Sequence, residues 1–150
     1  MNRPLPLRLV LDTNVVLDLF HWRDPRCQWL LAPLSDGRAV AYTDPACLRE
    51  LAQVLERPHL AGANSQAVFD EYMRAVRLDE ETPLSPPPHL PRCRDPEDQK
   101  FIRLAWAINA QALVSRDKHL LKLARRMDQA SGCRVVTPEQ AITLIPQTTR

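Results

Sequence analysis

Leu7-Arg8-Leu9-Val10-Leu11-Asp12-Thr13-Asn14-Val15-Val16-Leu17 changes character at its middle. Leu7 to Leu11 is a short apolar run with the length and branching of a buried strand. It stops at the polar triplet Asp12-Thr13-Asn14. Val15 to Phe20 then reads as a first helix. A buried strand that passes through a polar turn straight into a helix is the first half of a βαβ unit. The rest of the chain repeats the pattern.

Working outward, Arg38–Tyr42, Ala112–Ser115 and Arg134–Val136 read as further strands. Between them lie apolar-striped segments with marked starts. Asp24-Pro25 opens a helix carrying Cys27, Trp29, Leu30, Leu31 and Leu34, closed near Gly37. Asp44-Pro45 opens one that must stop near Pro58, and Asn64-Ser65 caps one with Val68, Tyr72, Ala75 and Val76 on one face. Asp95-Pro96 opens the most apolar helix, through Phe101, Ile102, Leu104, Ala105 and Ile108. Asp117 opens another, and Thr137-Pro138 starts the last. Four of these starts use one device: an Asp or Thr cap before a Pro at the first helical position, where no N–H is needed. Thr82 to Arg94 holds five of the 14 prolines and reads as a polyproline-like surface connection. The expected architecture is α/β: a three-layer α/β/α sandwich around a parallel sheet, formed as one domain over residues 1–150.

Composition narrows the chemistry. The chain has 20 basic and 18 acidic residues and a net charge of +2, so it is no strongly basic nucleic-acid clamp, although a local basic site remains open. All but three of the cations are Arg. Three isolated glycines exclude the Gly-rich nucleotide-binding loops. Cys27, Cys47, Cys93 and Cys133 have no CxxC spacing, and His21, His59, His89 and His119 have no HExxH or Cys-His spacing, so no zinc site is expected. Four scattered thiols read as reduced, and the expected location is the cytoplasm. No apolar run approaches the ~20 residues of a membrane span.

The acidic residues carry the functional reading. In an open parallel sheet, ligands bind beyond the carboxyl ends of the strands. Asp12 follows the first strand, and Asp117 stands two residues after the strand ending at Ser115. Each could also simply cap the helix it precedes. Glu50 falls at the margin of the apolar stripe of its helix, either in a cleft or at a solvated boundary. Asp95 is the natural cap of its helix. Asp98 sits in the first turn, where an acid favours the helix dipole, yet it shares a face with Phe101, Ile102 and Ala105. Carboxylates ~5 Å apart repel by about 3 kcal/mol per pair at an effective dielectric near ~20. Gathering Asp12, Glu50, Asp98 and Asp117 therefore calls for a cation, and hard oxygen ligands suit Mg²⁺ or Mn²⁺. Such an ion polarises a phosphate and activates water.

Val10-Leu11-Asp12-Thr13-Asn14, Leu48-Arg49-Glu50-Leu51, Asp95-Pro96-Glu97-Asp98-Gln99-Lys100-Phe101 and Leu113-Val114-Ser115-Arg116-Asp117, in that order, resemble the PIN-domain family. The closest likeness is to its short bacterial members, the VapC-like toxin components of toxin–antitoxin systems. The resemblance implies Mg²⁺-dependent ribonuclease activity on single-stranded or loop RNA, with Asp12, Glu50, Asp98 and Asp117 as both catalytic and metal-site residues. It implies small polar site residues at Asn14 and Ser115. Its implied partners are RNA, a small protein antitoxin and a second copy of the chain. Trp22, Trp29 and the first two helices are a candidate partner face. Many relatives carry another acid where this chain has His119. Two other readings stay open. A PIN-like module without activity could bind RNA or protein. A phosphatase-type or receiver-like domain also places an Asp after its first strand, but wants a second acid where Asn14 stands.

Overall fold

β1 (Leu7–Leu11) is the central strand of an all-parallel sheet that also contains β2 (Ala39–Thr43), β3 (Val76–Leu78), β4 (Ala112–Val114) and β5 (Arg134–Val136), in the order β3-β2-β1-β4-β5. The computed structural model describes residues 5–60 and 63–147, so residues 1–4, 61–62 and 148–150 of the expected domain lie outside the described residues. Leu9 pairs with Ala41 on one side and Ala112 on the other. The expected three-layer α/β/α architecture is present.

Alternation along the strands builds the layers. Leu7, Leu9, Leu11, Ala41, Val114 and Val136 face one core. Against them pack α1 (Thr13–Phe20), α3 (Pro45–Leu55) and α4 (Ala63–Ala75), with α2 (Leu31–Asp36) beside β2. Val10, Leu113 and Val135 face the opposite core, covered by α5 (Gln99–Ala107) and by Leu120, Leu123 and Met127 from the α6 (Lys118–Leu121) and α7 (Ala124–Ser131) region. The last helix, α8 (Pro138–Ala141), returns Ala141 to the first core. Both faces are buried, which is why β1 and β4 read as continuous apolar runs rather than alternating ones.

Helix starts divide into those that follow the expected device and those that do not. Asp44 accepts the Cys47 N–H at 2.9 Å with Pro45 at the first position, and Thr137 forms a reciprocal capping box with Gln140 ahead of Pro138. Asp24-Pro25 opens no helix. The chain leaves α1 through Arg23, in the left-handed region at φ 51°, while the N–H groups of Trp22 and Asp24 close back onto Leu17 and Asp18. Asp24 is then consumed by the Arg26 N–H and guanidinium, and helical structure resumes only as a 3-10 turn at Gln28–Leu30 followed by α2. Asp95-Pro96 opens a 3-10 turn, Pro96–Asp98, that becomes α-helical at Gln99. Asn64 and Ser65 lie inside the first turn of α4. Val76, expected on the face of that helix, instead begins β3, which pairs with Ala41–Thr43. Gly37 and Gly132 close α2 and α7 at φ 86° and 75°, where a side chain would be strained.

Strand order places the site. From β1 the chain moves toward β2, and from β4 it moves toward β5. The segments leaving β1 and β4 therefore diverge and open a crevice at their carboxyl ends, the topological switch point. Asp12 and Ser115 are the first residues beyond those two strands. Among the described residues, no helix is long and apolar enough to cross a membrane.

Candidate metal centre

Asp12 continues the sheet by one residue, its N–H donating to the Val114 carbonyl at 3.1 Å. Its side chain is buried, 4 % exposed. One oxygen caps α1 by accepting the Val15 N–H at 2.9 Å, and the other accepts the Ser115 hydroxyl. Ser115 is itself buried and accepts the Asp117 N–H at 2.9 Å, so one hydroxyl bridges the Asp12 carboxylate and the Asp117 main chain. Burial pushes the Asp12 carboxyl up to about 6. Its two hydrogen bonds oppose that rise, and the charges of Asp117 and Asp18 add to it. The capping role and the site role, alternatives in sequence, are both geometrically available to this one carboxylate.

Asp117 caps α6 through the His119 N–H at 2.8 Å. Asp98 comes from the 3-10 turn before α5, while Asp95 performs the capping there by accepting the Glu97 N–H at 2.9 Å. Asp98 faces Asp117. Burial pushes the Asp98 carboxyl up to about 7, with the Asp117 carboxyl beside it as the next cause and Asp95 and Glu50 as smaller ones. One Asp98 oxygen, Oδ2, is buried and has no hydrogen-bond partner among the described residues.

Glu50 stands on the other wall, presented by α3. One oxygen accepts the Thr13 hydroxyl, and the other pairs with Lys100 Nζ at 3.0 Å. Lys100 is enclosed, with its side chain 11 % exposed, and its ammonium also donates to the Glu97 carbonyl. The four acids thus form two limbs: Asp12, Asp117 and Asp98 linked through Ser115 and a carboxyl–carboxyl contact, and Glu50 held by Thr13 and Lys100. Thr13, not Asn14, makes the polar contact after Asp12, and Asn14 is exposed. Sequence reasoning misses Thr13 and Lys100 because nothing local reports a contact to Glu50 from 37 or 50 residues away.

The acids do not close into one tight set. Among the described residues, the group of three whose ligand atoms lie within 4.8 Å of one another is Asp18, Asp24 and Cys27. Those atoms are already engaged. Asp24 is paired with Arg26 at 2.7 Å, and Arg116 reaches Asp18 at 3.5 Å, the Cys27 sulfur at 3.4 Å and Glu139 at 2.7 Å. Burial pushes the Cys27 thiol up, away from the thiolate a metal needs. We read this cluster as an ion-pair network.

The main centre passes a test of fit for a hard divalent cation. Its donors are carboxylate oxygens, two of its carboxyls are raised by burial and by neighbouring acids, and one buried oxygen is orphaned. The family model for the PIN domain matches residues 8–119, which contain all four acids. Proteins of that family are in general nucleases that use divalent metals. No curated protein matches the chain.

Proposed function

The chain belongs to the PIN-domain family, and on that premise we propose that it is a divalent-metal-dependent endoribonuclease whose metal is held by Asp12, Glu50, Asp98 and Asp117. The observation that carries the reading is the buried Asp98 Oδ2, without a hydrogen-bond partner among the described residues, on a carboxyl that lies beside that of Asp117, with Ser115 bridging the Asp12 carboxylate and the Asp117 main chain. A bound Mg²⁺ or Mn²⁺ would supply the positive charge that polarises a phosphodiester and favours ionised water. The protein's own groups orient the donors. Ser115 and the Val15 N–H fix the Asp12 carboxylate, and Thr13 fixes that of Glu50. All of residues 1–150 would act as one nuclease domain.

Attack by water that expels the 3′-oxygen leaves a 5′-phosphate and a free 3′-hydroxyl. The test is incubation of the protein with single-stranded RNA, with and without Mn²⁺ or a chelator, followed by end analysis. Chelator-sensitive cuts with 5′-phosphate ends support the reading. Cyclic 2′,3′-phosphate ends overturn it, because they arise from attack by the RNA's own 2′-hydroxyl.

The motif order shared with VapC-like proteins supports a finer reading: the toxin of a cytoplasmic toxin–antitoxin pair, restrained by a small antitoxin and acting as a homodimer. Trp22 is 54 % exposed and available to a partner face, whereas Trp29 packs against the core and donates to the Arg26 carbonyl at 3.1 Å. Growth arrest on expression, relieved by co-expression of a neighbouring small reading frame, is the expected outcome. Harmless expression of soluble protein rejects the toxin role. One observation favours a second reading, a binding module without activity: Glu50 is already neutralised by Lys100. An RNA-cleavage assay with and without chelator separates the two, since an inactive module leaves the RNA intact under both conditions.

A further inference from the structure

We propose that the cleft between α3 and α5 is a phosphate-binding subsite that holds the backbone of single-stranded RNA beside the carboxylate centre, with Arg49 and Arg103 as its guanidinium forks. The identity of the ligand rests on the nuclease reading above. The cleft has a volume of about 290 Å³, and Arg49, Glu50 and Gln53 of α3 face Glu97, Lys100 and Arg103 across it. Glu50 and Lys100 belong to both the cleft and the metal centre, so a chain leaving the centre enters the cleft directly.

The charge in the cleft is unbalanced in a useful way. Glu50 and Lys100 neutralise each other at 3.0 Å, and Glu97 is largely in solvent. Arg49 and Arg103 have no ion-pair or hydrogen-bond partner among the described residues. The Arg103 Nε is moreover buried without an acceptor. A desolvated guanidinium donor left unpaired favours an incoming anion, and the guanidinium fork matches the non-bridging oxygens of a phosphodiester. Three arginines outside the cleft are committed to acids: Arg23 to Glu71, Arg26 to Asp24, and Arg116 to Asp18 and Glu139.

The path also continues. Pro96, Gln99 and Arg103 line a second cleft of about 590 Å³ beneath the proline-rich segment, where Arg92 stands. Gln99 pins that segment by accepting the Cys93 N–H at 2.6 Å and donating to the Pro91 carbonyl at 3.0 Å. A backbone passing Lys100 would meet Arg103 and then Arg92. An acidic peptide would also find guanidinium groups here; the nuclease reading on which this inference rests selects the phosphodiester.

The test is binding of a short fluorescent single-stranded RNA in the presence of chelator, across a range of KCl concentrations, so that no cleavage is read. Removing one cation that neutralises a phosphate of a single strand lowers the slope of log affinity against log salt by about 0.7. Arg49→Ala and Arg103→Ala should each lower the slope by about that amount and weaken binding several-fold, while Mn²⁺ affinity measured without RNA does not weaken. Arg74→Ala, in the last turn of α4, is the control and should leave the slope unchanged. Unchanged slopes at Arg49 and Arg103, an equal fall at Arg74, or loss of binding to poly-glutamate but not to RNA each overturns the subsite. The nuclease reading fails separately: wild-type protein that binds RNA through these arginines but never cleaves it with any divalent ion keeps the cleft and loses the enzyme.

Discussion

At the scale of single residues, the centre is organised around charges that would rather be neutral. Asp12 and Asp98 both have folded-state values, about 6 and about 7, above the ordinary carboxyl value of 3.8. Their protonated forms are therefore favoured by folding. That stabilisation is fully present below the unfolded value and is lost as pH rises through about 6 to 7. The metal-free protein should melt at higher temperature at pH 5 than at pH 8, and the Asp12→Asn, Asp98→Asn double variant should flatten that dependence. An unaltered profile in the double variant would refute the assignment. The acids held low by arginine, such as Asp24 at about 2, change protonation below this window and do not obscure it. Ser115→Ala removes the hydroxyl shared by Asp12 and Asp117, and should cost about 1–3 kcal/mol by chemical denaturation. Asp95 and Asp98 should part company. Asp95→Asn keeps a side-chain acceptor for the Glu97 N–H, so melting temperature and rate should hardly move. Asp98→Asn should leave folding intact and lower the cleavage rate on the order of a hundredfold or more. A dead Asp95→Asn beside an active Asp98→Asn would mean that the ligand lies earlier in the turn.

At the scale of elements, α3 and α5 act as opposing walls. Lys100 on α5 neutralises Glu50 on α3, so a divalent ion must compete with an ammonium already in place. Lys100→Met should therefore tighten Mn²⁺ binding several-fold when measured calorimetrically without RNA, and should lower the melting temperature of the metal-free protein, because Glu50 loses its partner. Weaker Mn²⁺ binding in that variant would show that Lys100 organises the site rather than guards it. The same scale explains where the sequence misleads. Val76 continues the helical stripe of α4 by spacing, but β2 offers an unpaired edge, and hydrogen bonding to it makes three residues into β3. Asp24-Pro25 has the cap and proline of a helix start, but the left-handed Arg23 and the pull of Arg26 redirect it.

For the molecule as a whole, metal binding and stability are linked. An ion that binds only the folded state at a hundred times its Kd adds about 2.7 kcal/mol to stability. Thermal scans with rising Mn²⁺ should show a progressive increase in melting temperature. Asp12→Asn should blunt it while raising the melting temperature of the metal-free protein. A flat response in the wild type would mean that the four acids do not act as one centre. The proline-rich connection belongs to this scale as well, because it carries the chain from β3 to α5 on the opposite face, and Gln99 anchors it beside the cleft.

The layers, four of the five parallel strands and the acids at the strand ends were readable from the chain alone. Each rests on local signals: apolar runs of strand length, helical periodicity, and Asp or Thr ahead of Pro. Asp12 and Asp117 were legible because strand-to-helix turns announce themselves within a few residues. The tertiary structure alone decided the strand order β3-β2-β1-β4-β5, and so which two strand ends share a crevice. It alone paired Lys100 and Thr13 with Glu50, tied up Arg23, Arg26 and Arg116, and left an Asp98 oxygen, Arg49 and Arg103 without partners among the described residues. The reason is physical. A charge in the chain carries no mark of its eventual partner, and which ion pairs form depends on which surfaces burial brings within a few ångströms of one another.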